Sequence, residues 1–391
     1  MHSGSADVPV WRLDPMTPKL RVKAAMDLQA PDRVPLMCQL SIGHMLQQLQ
    51  LSPSEFWHEP QVFADGLIRL REIYDFDGIL VSLHGHDLRW RENILERTPT
   101  SEGGEEIRWK DGSRTVYPVD DLPRHYSAAE QKKPSFEEFT ESDLPPTLTY
   151  IPVSQGLYFT IDSAHKFDVF HMLRQKIGVE YSLHGEVTSP LDYFLDFFGH
   201  QNALMYLIDD AEKAKRVLEH FTRQIEQLAT EMCETGIDAM KLSSPFAGSG
   251  FISPEFYEEF VSPFEGRIAR AVRKKGVHFY THTCGAIGDR LELMFDAGVS
   301  GIECLDPPPL GDVELADAKG RTRGRGFIKG NIDSVNKLLF GSEQEILDDA
   351  RERLEVGKEG GGFILSTACS VAPHVTRSKL LLLREAVERW G

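Results

Sequence analysis

The stretch Val277-His-Phe-Tyr-Thr-His-Thr-Cys-Gly285 decides the fold and marks the first candidate site. Its β-branched and aromatic residues are typical of a buried strand. Because side chains alternate along a strand, His282 and Cys284 are expected to point to the same side. A second apolar run ends at Cys369, so one imidazole and two thiols follow the ends of two strands. Such a set binds catalytic zinc, and the alternative is a buried histidine beside inert core cysteines.

Further short apolar runs, separated by helical patterns, extend this strand into a repeating βα unit. Nearly continuous apolar runs are typical of parallel strands that are buried on both faces. The pattern predicts an α/β fold, a TIM (β/α)8 barrel formed by a single domain over residues 1–391. The eight predicted strands are residues 34–40, 78–84, 181–187, 239–243, 277–282, 301–305, 326–330 and 363–367.

The βα repeat is interrupted over about residues 86–152. Residues 107–117 alternate in polarity around Asp111-Gly112, which is typical of a β-hairpin. Residues 120–149 are charged and rich in proline, as in a surface excursion. Long irregular segments in compact domains are usually functional or disordered, so we interpret this insertion as a lid or a partner surface.

In a TIM barrel the active site lies at the carboxyl ends of the strands, and the candidate ligands all fall there. This favours zinc, because a buried-core explanation predicts no preference for one rim. Glu303 is expected to be a fourth ligand, a base behind the metal, or a salt-bridged rim carboxylate. Cys304 has the opposite strand parity, so we expect it outside the barrel. The remaining rim candidates are Glu186 for catalysis together with Glu303, and His84, His86, Ser243 and Asn331 for substrate binding.

The amino-acid composition indicates which classes of partner are disfavoured and in which compartment the protein is expected. The chain carries 60 acidic and 43 basic residues, a net charge of −17, which disfavours nucleic acid and anionic membrane surfaces. Its five cysteines are odd in number and lack the spacing of a disulfide framework. The first residues show no signal peptide, and no apolar run approaches the roughly 18 residues that a membrane helix needs. The sequence predicts a cytoplasmic protein and leaves a homodimer open.

Three motifs resemble those of a known family. They are Pro31-Asp-Arg-Val-Pro35, Ser253-Pro-Glu-Phe-Tyr257 and Gly330-Asn-Ile-Asp333. With them, the chain outside the insertion resembles the uroporphyrinogen decarboxylase superfamily. Within that superfamily, His282, Cys284 and Cys369 resemble the zinc triad of corrinoid-linked methyltransferases. These include the methylcobamide:coenzyme M methyltransferases and the zinc-dependent O-demethylase components.

The resemblance implies zinc at this triad and a corrinoid (cobalamin) carried by a partner protein. It implies transfer of a methyl group between a small substrate and the cobalt. The insertion favours O-demethylation of a methoxylated, aromatic compound, and transfer from a methyl-corrinoid to a thiol is the alternative. The decarboxylase itself fits poorly, because its arginine motif is absent after Pro35 and its aspartate would fall near Leu83. A binding protein without chemistry and a zinc chaperone are the hypotheses from other classes.

Overall fold

The structure is a computed structural model that describes residues 16–129 and 133–391. The expectation about a signal peptide therefore concerns residues that lie outside the described ranges. Within those ranges, none of the helices combines the length and the apolar character that a membrane crossing requires.

Thirteen strands form within the described residues, in three sheets. In chain order they are β1 (Gly78–Val81), β2 (Ile94–Pro99), β3 (Glu105–Trp109), β4 (Arg114–Tyr117), β5 (Arg124–Tyr126), β6 (Tyr150–Ser154), β7 (Leu157–Thr160), β8 (Ser182–Thr188), β9 (Ala239–Ser243), β10 (His278–Thr283), β11 (Gly301–Cys304), β12 (Phe327–Ile332) and β13 (Phe363–Thr367).

The helices that cover the parallel sheet begin mostly at Ser, Thr or Asp caps, or have Pro in their first turn. In chain order they are α1 (Pro18–Met26), α2 (Ile42–Leu49), α3 (Pro53–His58), α4 (Pro60–Tyr74), α5 (Asp168–Ile177), α6 (Pro190–Phe198), α7 (His200–Asp209), α8 (Ala211–Cys233), α9 (Pro254–Phe260), α10 (Ser262–Lys274), α11 (Leu291–Ala297), α12 (Leu315–Arg321), α13 (Glu343–Gly357) and α14 (Arg377–Trp390). Ser342 and Glu345 form a capping box at the start of α13.

The large sheet is a curled parallel sheet of seven strands in the order β1-β8-β9-β10-β11-β12-β13. Apart from the long step from β1 to β8, each strand pairs with the next strand of this sheet along the chain, as repeated βα units require. Its strands are almost entirely buried because helices cover the outer face. The predicted α/β class and barrel-type architecture are confirmed, and all carboxyl ends of these strands meet at one rim.

The prediction of a first strand over residues 34–40 is wrong. This segment makes only two isolated parallel bridges, Leu36 with Leu365 and Leu40 with Val371. Pro35 has no N–H to donate, which limits how far a ladder can extend. The segment still joins the two edges of the sheet, because Met37 N donates to Leu365 O at 3.0 Å and Leu36 O accepts from the residue before β1.

The insertion carries its own antiparallel sheet, β2-β3-β4-β5, followed by the β6-β7 hairpin. The predicted hairpin around Asp111-Gly112 is confirmed as β3 and β4, with Gly112 at φ +85°. The irregular region continues to Thr160, somewhat beyond the predicted boundary. Asp120 lies 3.8 Å from His374, which follows Cys369 by five residues, so the insertion packs beside the rim.

Candidate metal centre

His282 and Glu303 form the fixed part of the centre. They lie opposite each other in the register of β10 and β11. His282 Nδ1 is 3.0 Å from Glu303 Oε2, and the glutamate is completely buried. An ionised carboxylate can only accept a hydrogen bond, so Nδ1 carries a proton, and Nε2 is the nitrogen whose lone pair is offered to a metal once its own proton is lost. This is the tautomer that a metal-ligating histidine needs.

The two predicted thiols gather on the free side of His282. Cys284 Sγ lies 3.3 Å from His282 Nε2 and 3.6 Å from Cys369 Sγ. Two sulfurs bound to one tetrahedral zinc at about 2.3 Å each would be about 3.8 Å apart. The spacing in the protein therefore matches a shared metal ion, and soft thiolates with imidazole suit zinc among the common divalent ions. The structure brings all three predicted ligands together.

A third thiol, that of Cys304, also lies at the centre, so the prediction that Cys304 lies outside the barrel is wrong. The backbone enters the left-handed region at Cys304 (φ +87°) and Leu305 (φ +56°), so the alternation of the strand ends there. The Cys304 thiol consequently turns towards the centre and donates to Asp306 Oδ2 at 3.3 Å. The potential ligand atoms of His282, Cys284 and Cys304 lie within 4.8 Å of one another.

Asn331, which is predicted to bind substrate, contacts the loop that presents the third thiol. It is completely buried on β12, and its Nδ2 donates to Leu305 O at 2.9 Å. This bond holds the unusual turn after β11 in place. The structure thus gives Asn331 a positioning contact behind the centre.

Two buried lysines complete the charge balance beneath the metal centre, and the sequence analysis missed both. Lys329 forms an ion pair with Glu303 Oε1, and Lys241 Nζ lies 3.8 Å from Glu303 Oε2. Lys241 also pairs with Glu186 at 3.2 Å and donates to Gln39 Oε1 at 2.7 Å. A lysine in an otherwise apolar parallel strand was the available signal, since a buried charge requires a partner.

These charges set the protonation of the centre. Burial alone would raise the pKa of Glu303, but the ammonium groups of Lys329 and Lys241 hold it well below its usual range. In the protein alone, hydrogen bonds from Cys284 and Cys304 lower the pKa of the Cys369 thiol. Burial and Lys241 oppose protonation of His282, yet the neighbouring thiols raise its pKa well above the ordinary value. The site therefore favours thiolate at Cys369, the form that binds metal.

Of the other predicted residues, Ser243 lies beside the metal centre, whereas His84 and His86 are buried. Ser243 ends β9 directly beside His282 in the register. His84 and His86 are almost completely buried, and burial lowers the pKa of His84 to about 4 and that of His86 to about 3. Among the described residues neither ring nitrogen of His86 has a hydrogen-bond partner, and its ring packs 4.9 Å from that of Phe159.

The sequence of this chain matches the model of a known protein family. Residues 130–390 match the family model described as uroporphyrinogen decarboxylase (URO-D). The chain belongs to the URO-D family. The predicted superfamily is thereby confirmed, and the matched segment contains every residue of the metal centre.

The relatives of this chain include both methyltransferases and uroporphyrinogen decarboxylases. The methylcobamide:CoM methyltransferase MtbA of Methanosarcina mazei is 24% identical over 375 residues, covering 96% of this chain and 98% of that protein. The methylcobamide:CoM methyltransferase MtaA of Methanosarcina barkeri is 24% identical over 206 residues, 53% of this chain and 58% of that protein. A uroporphyrinogen decarboxylase of a Synechococcus species is 26% identical over 215 residues, 51% of this chain and 58% of that protein.

A solved structure supports the fold of this URO-D protein. A methyltransferase from Methanosarcina mazei superposes with a TM-score of 0.69 at 18% identity, covering 96% of this chain and 99% of that one. The likeness extends over almost the whole chain, so the barrel-type architecture is shared.

Proposed function

We propose that this URO-D family protein transfers a methyl group between a small substrate and the cobalt of a corrinoid carried by another protein. The observation that carries the proposal is the cluster of His282, Cys284 and Cys369 at the ends of β10 and β13. Methyltransferases named for methylcobamide include a relative that aligns with nearly the whole chain.

The residues present fit zinc. His282 Nε2 and the sulfurs of Cys284 and Cys369 would hold the ion. Cys304 offers a fourth donor, because its sulfur lies within 4.8 Å of the donor atoms of His282 and Cys284. When bound, zinc supplies a Lewis acid for an ether oxygen, or it lowers the pKa of a thiol so that the thiolate forms.

The chain's own residues orient this donor set. Glu303 holds His282 in the required tautomer, and Lys329 and Lys241 keep Glu303 ionised. Glu186 is partly exposed beside Lys241, which places a second carboxylate near the mouth. We propose that Glu186 and Ser243 position the substrate there. The assignments of His84 and His86 to substrate stay predictions.

For the substrate we propose a methoxylated aromatic compound that is O-demethylated. The insertion supports this choice, because it places several aromatic side chains beside the segment that leaves β1. The second candidate is transfer from a methyl-corrinoid to a thiol, which the names of the Methanosarcina relatives favour. The corrinoid protein as partner, a cytoplasmic location and a homodimer belong to the same proposal.

The cobalt spectrum tests the proposal directly. The zinc-loaded protein is mixed with cob(I)alamin and methoxyaryl compounds, and separately with methylcobalamin and thiols. Methylation of cobalt by a methoxy compound supports O-demethylation, whereas demethylation of methylcobalamin by thiols alone supports the second candidate. Cys284→Ala should abolish either reaction, and Cys233→Ala, on α8, should retain it. Silence in both assays with zinc bound, together with decarboxylation of a porphyrinogen, would contradict the proposal.

A further inference from the structure

A cavity of about 530 Å³ lies in the insertion, separate from the metal-centre residues. Ligand pockets commonly span about 300–1,000 Å³ and combine apolar walls with a few polar groups. The walls come from α3, the insertion strands β3 and β4, and β7, and three of the chain's five tryptophans line them. These tryptophans are Trp57, Trp90 and Trp109.

The cavity lies largely outside the part of the chain that the family model matches. Most of its lining precedes residue 130, where the URO-D match begins. Asp87, six residues beyond the end of β1, also lines it, so it opens near the carboxyl ends of the barrel strands. The insertion thus adds a chamber on the same side of the barrel as the metal centre.

Internal hydrogen bonds hold the walls in place before any ligand arrives. His58 Nε2 lies 2.6 Å from the hydroxyl of Tyr117. Trp109 Nε1 donates to Thr115 Oγ1 at 2.9 Å, and the same oxygen lies 2.9 Å from His125 Nδ1. Groups fixed in this way lose little freedom on binding, which favours a pre-formed site.

The arrangement of the rings favours an aromatic ligand over a cationic ligand. His58 stacks on Trp90 with ring centroids 4.5 Å apart, and the guanidinium of Arg91 lies 4.7 Å from the centre of the Trp90 ring. The π surface of the Trp90 ring is thus already shared with protein groups, which leaves less of it for a cationic ligand. The edges of aromatic rings carry partial positive charge and attract the face of another aromatic ring.

We propose that this cavity binds a flat, uncharged aromatic compound that carries hydroxyl or methoxyl substituents. Its ring would meet ring edges, and its oxygens would meet neutral polar groups of the lining such as Asn93 and Thr160. The inference rests on the proposed function only for its biological use, namely recruiting the aromatic substrate. Binding itself is measured without metal or turnover.

The experiment uses 2-methoxyphenol as the probe, with binding followed by calorimetry and tryptophan fluorescence. Thr160→Phe fills the cavity from an exposed position and should weaken binding by about tenfold, as should Trp109→Leu. Trp390→Phe, on α14, is the matched control and should bind like the wild type. Cys284→Ala should keep the affinity within about twofold, because the two sites share no residue. Circular dichroism verifies that each variant is folded.

Several results would overturn the inference. They are equal binding of 2-methoxycyclohexanol, preferential binding of tetramethylammonium, or no effect of either cavity variant. Loss of binding in Cys284→Ala alone would place the ring at the metal centre and would also refute it. If 2-methoxyphenol does not bind while the cobalt assay is positive, the cavity inference fails and the proposed methyl transfer stands.

Discussion

Replacing Glu303 by Gln separates the two tasks that this buried carboxylate performs. In the wild type, His282 Nδ1 lies 3.0 Å from Glu303 Oε2. The amide oxygen of the variant can still accept this hydrogen bond, but the negative charge is lost. Lys329 then keeps a buried ammonium without its partner. Breaking a buried ion pair from one side costs about 3–5 kcal/mol of stability. Removing the carboxylate behind a metal-bound histidine weakens metal binding by about 10–100-fold, or about 1.4–2.7 kcal/mol.

Two measurements distinguish these effects. Urea unfolding of the metal-free protein reports the lost ion pair, and competition with a chromophoric chelator reports zinc affinity. In Glu303→Gln/Lys329→Met both charges are removed, so stability should recover in part while zinc affinity stays low. Glu186→Gln is the matched control, since Glu186 pairs with Lys241 but does not contact His282. Wild-type zinc affinity in folded Glu303→Gln would refute the positioning role.

Two further predictions concern the supports of the rim. Asn331→Ala removes the donor to Leu305 O, so the free energy of unfolding should fall by about 1–3 kcal/mol in urea, and an unchanged value would contradict the role of Asn331. Burial raises the pKa of Glu265 to about 8 from an ordinary 4.5, and the nearby carboxyl of Asp192 also raises it. The contribution of Glu265 to the free energy of unfolding is therefore complete below about pH 4.5 and is lost as the pH rises through about 8. Glu265→Gln keeps a partner for Ser244 and should flatten this fall in a series of unfolding measurements, whereas an unchanged pH dependence would argue against a neutral Glu265.

The sequence predicted the parallel strands and the three metal donors because both depend on local patterns. Apolar runs identify buried parallel strands, and alternation places His282 and Cys284 on one side. The same alternation misplaced Cys304, because a left-handed backbone at Cys304 and Leu305 ends the regular pattern. Nothing in the local residue types signals that turn, which is held by Asn331 from another strand.

Contacts between distant segments also explain the other omissions. Lys241 and Lys329 are 88 residues apart and meet only because β9 and β12 both face Glu303. Residues 34–40 have a strand-like composition but receive only two bridges from their neighbours. In the insertion, Asp111-Gly112 predicted one hairpin, whereas the cavity arises from α3 and β7 closing over it.

The zinc content of purified protein tests the central claim most directly. Elemental analysis should find about one zinc per chain in the wild type and in the Cys233→Ala control. Cys284→Ala and Cys369→Ala should fold but lose most of the zinc, because each removes a ligand at the rim and not a core contact. Equal zinc in all four proteins, or none in the wild type after growth with added zinc, would contradict a catalytic metal centre at the ends of β10 and β13.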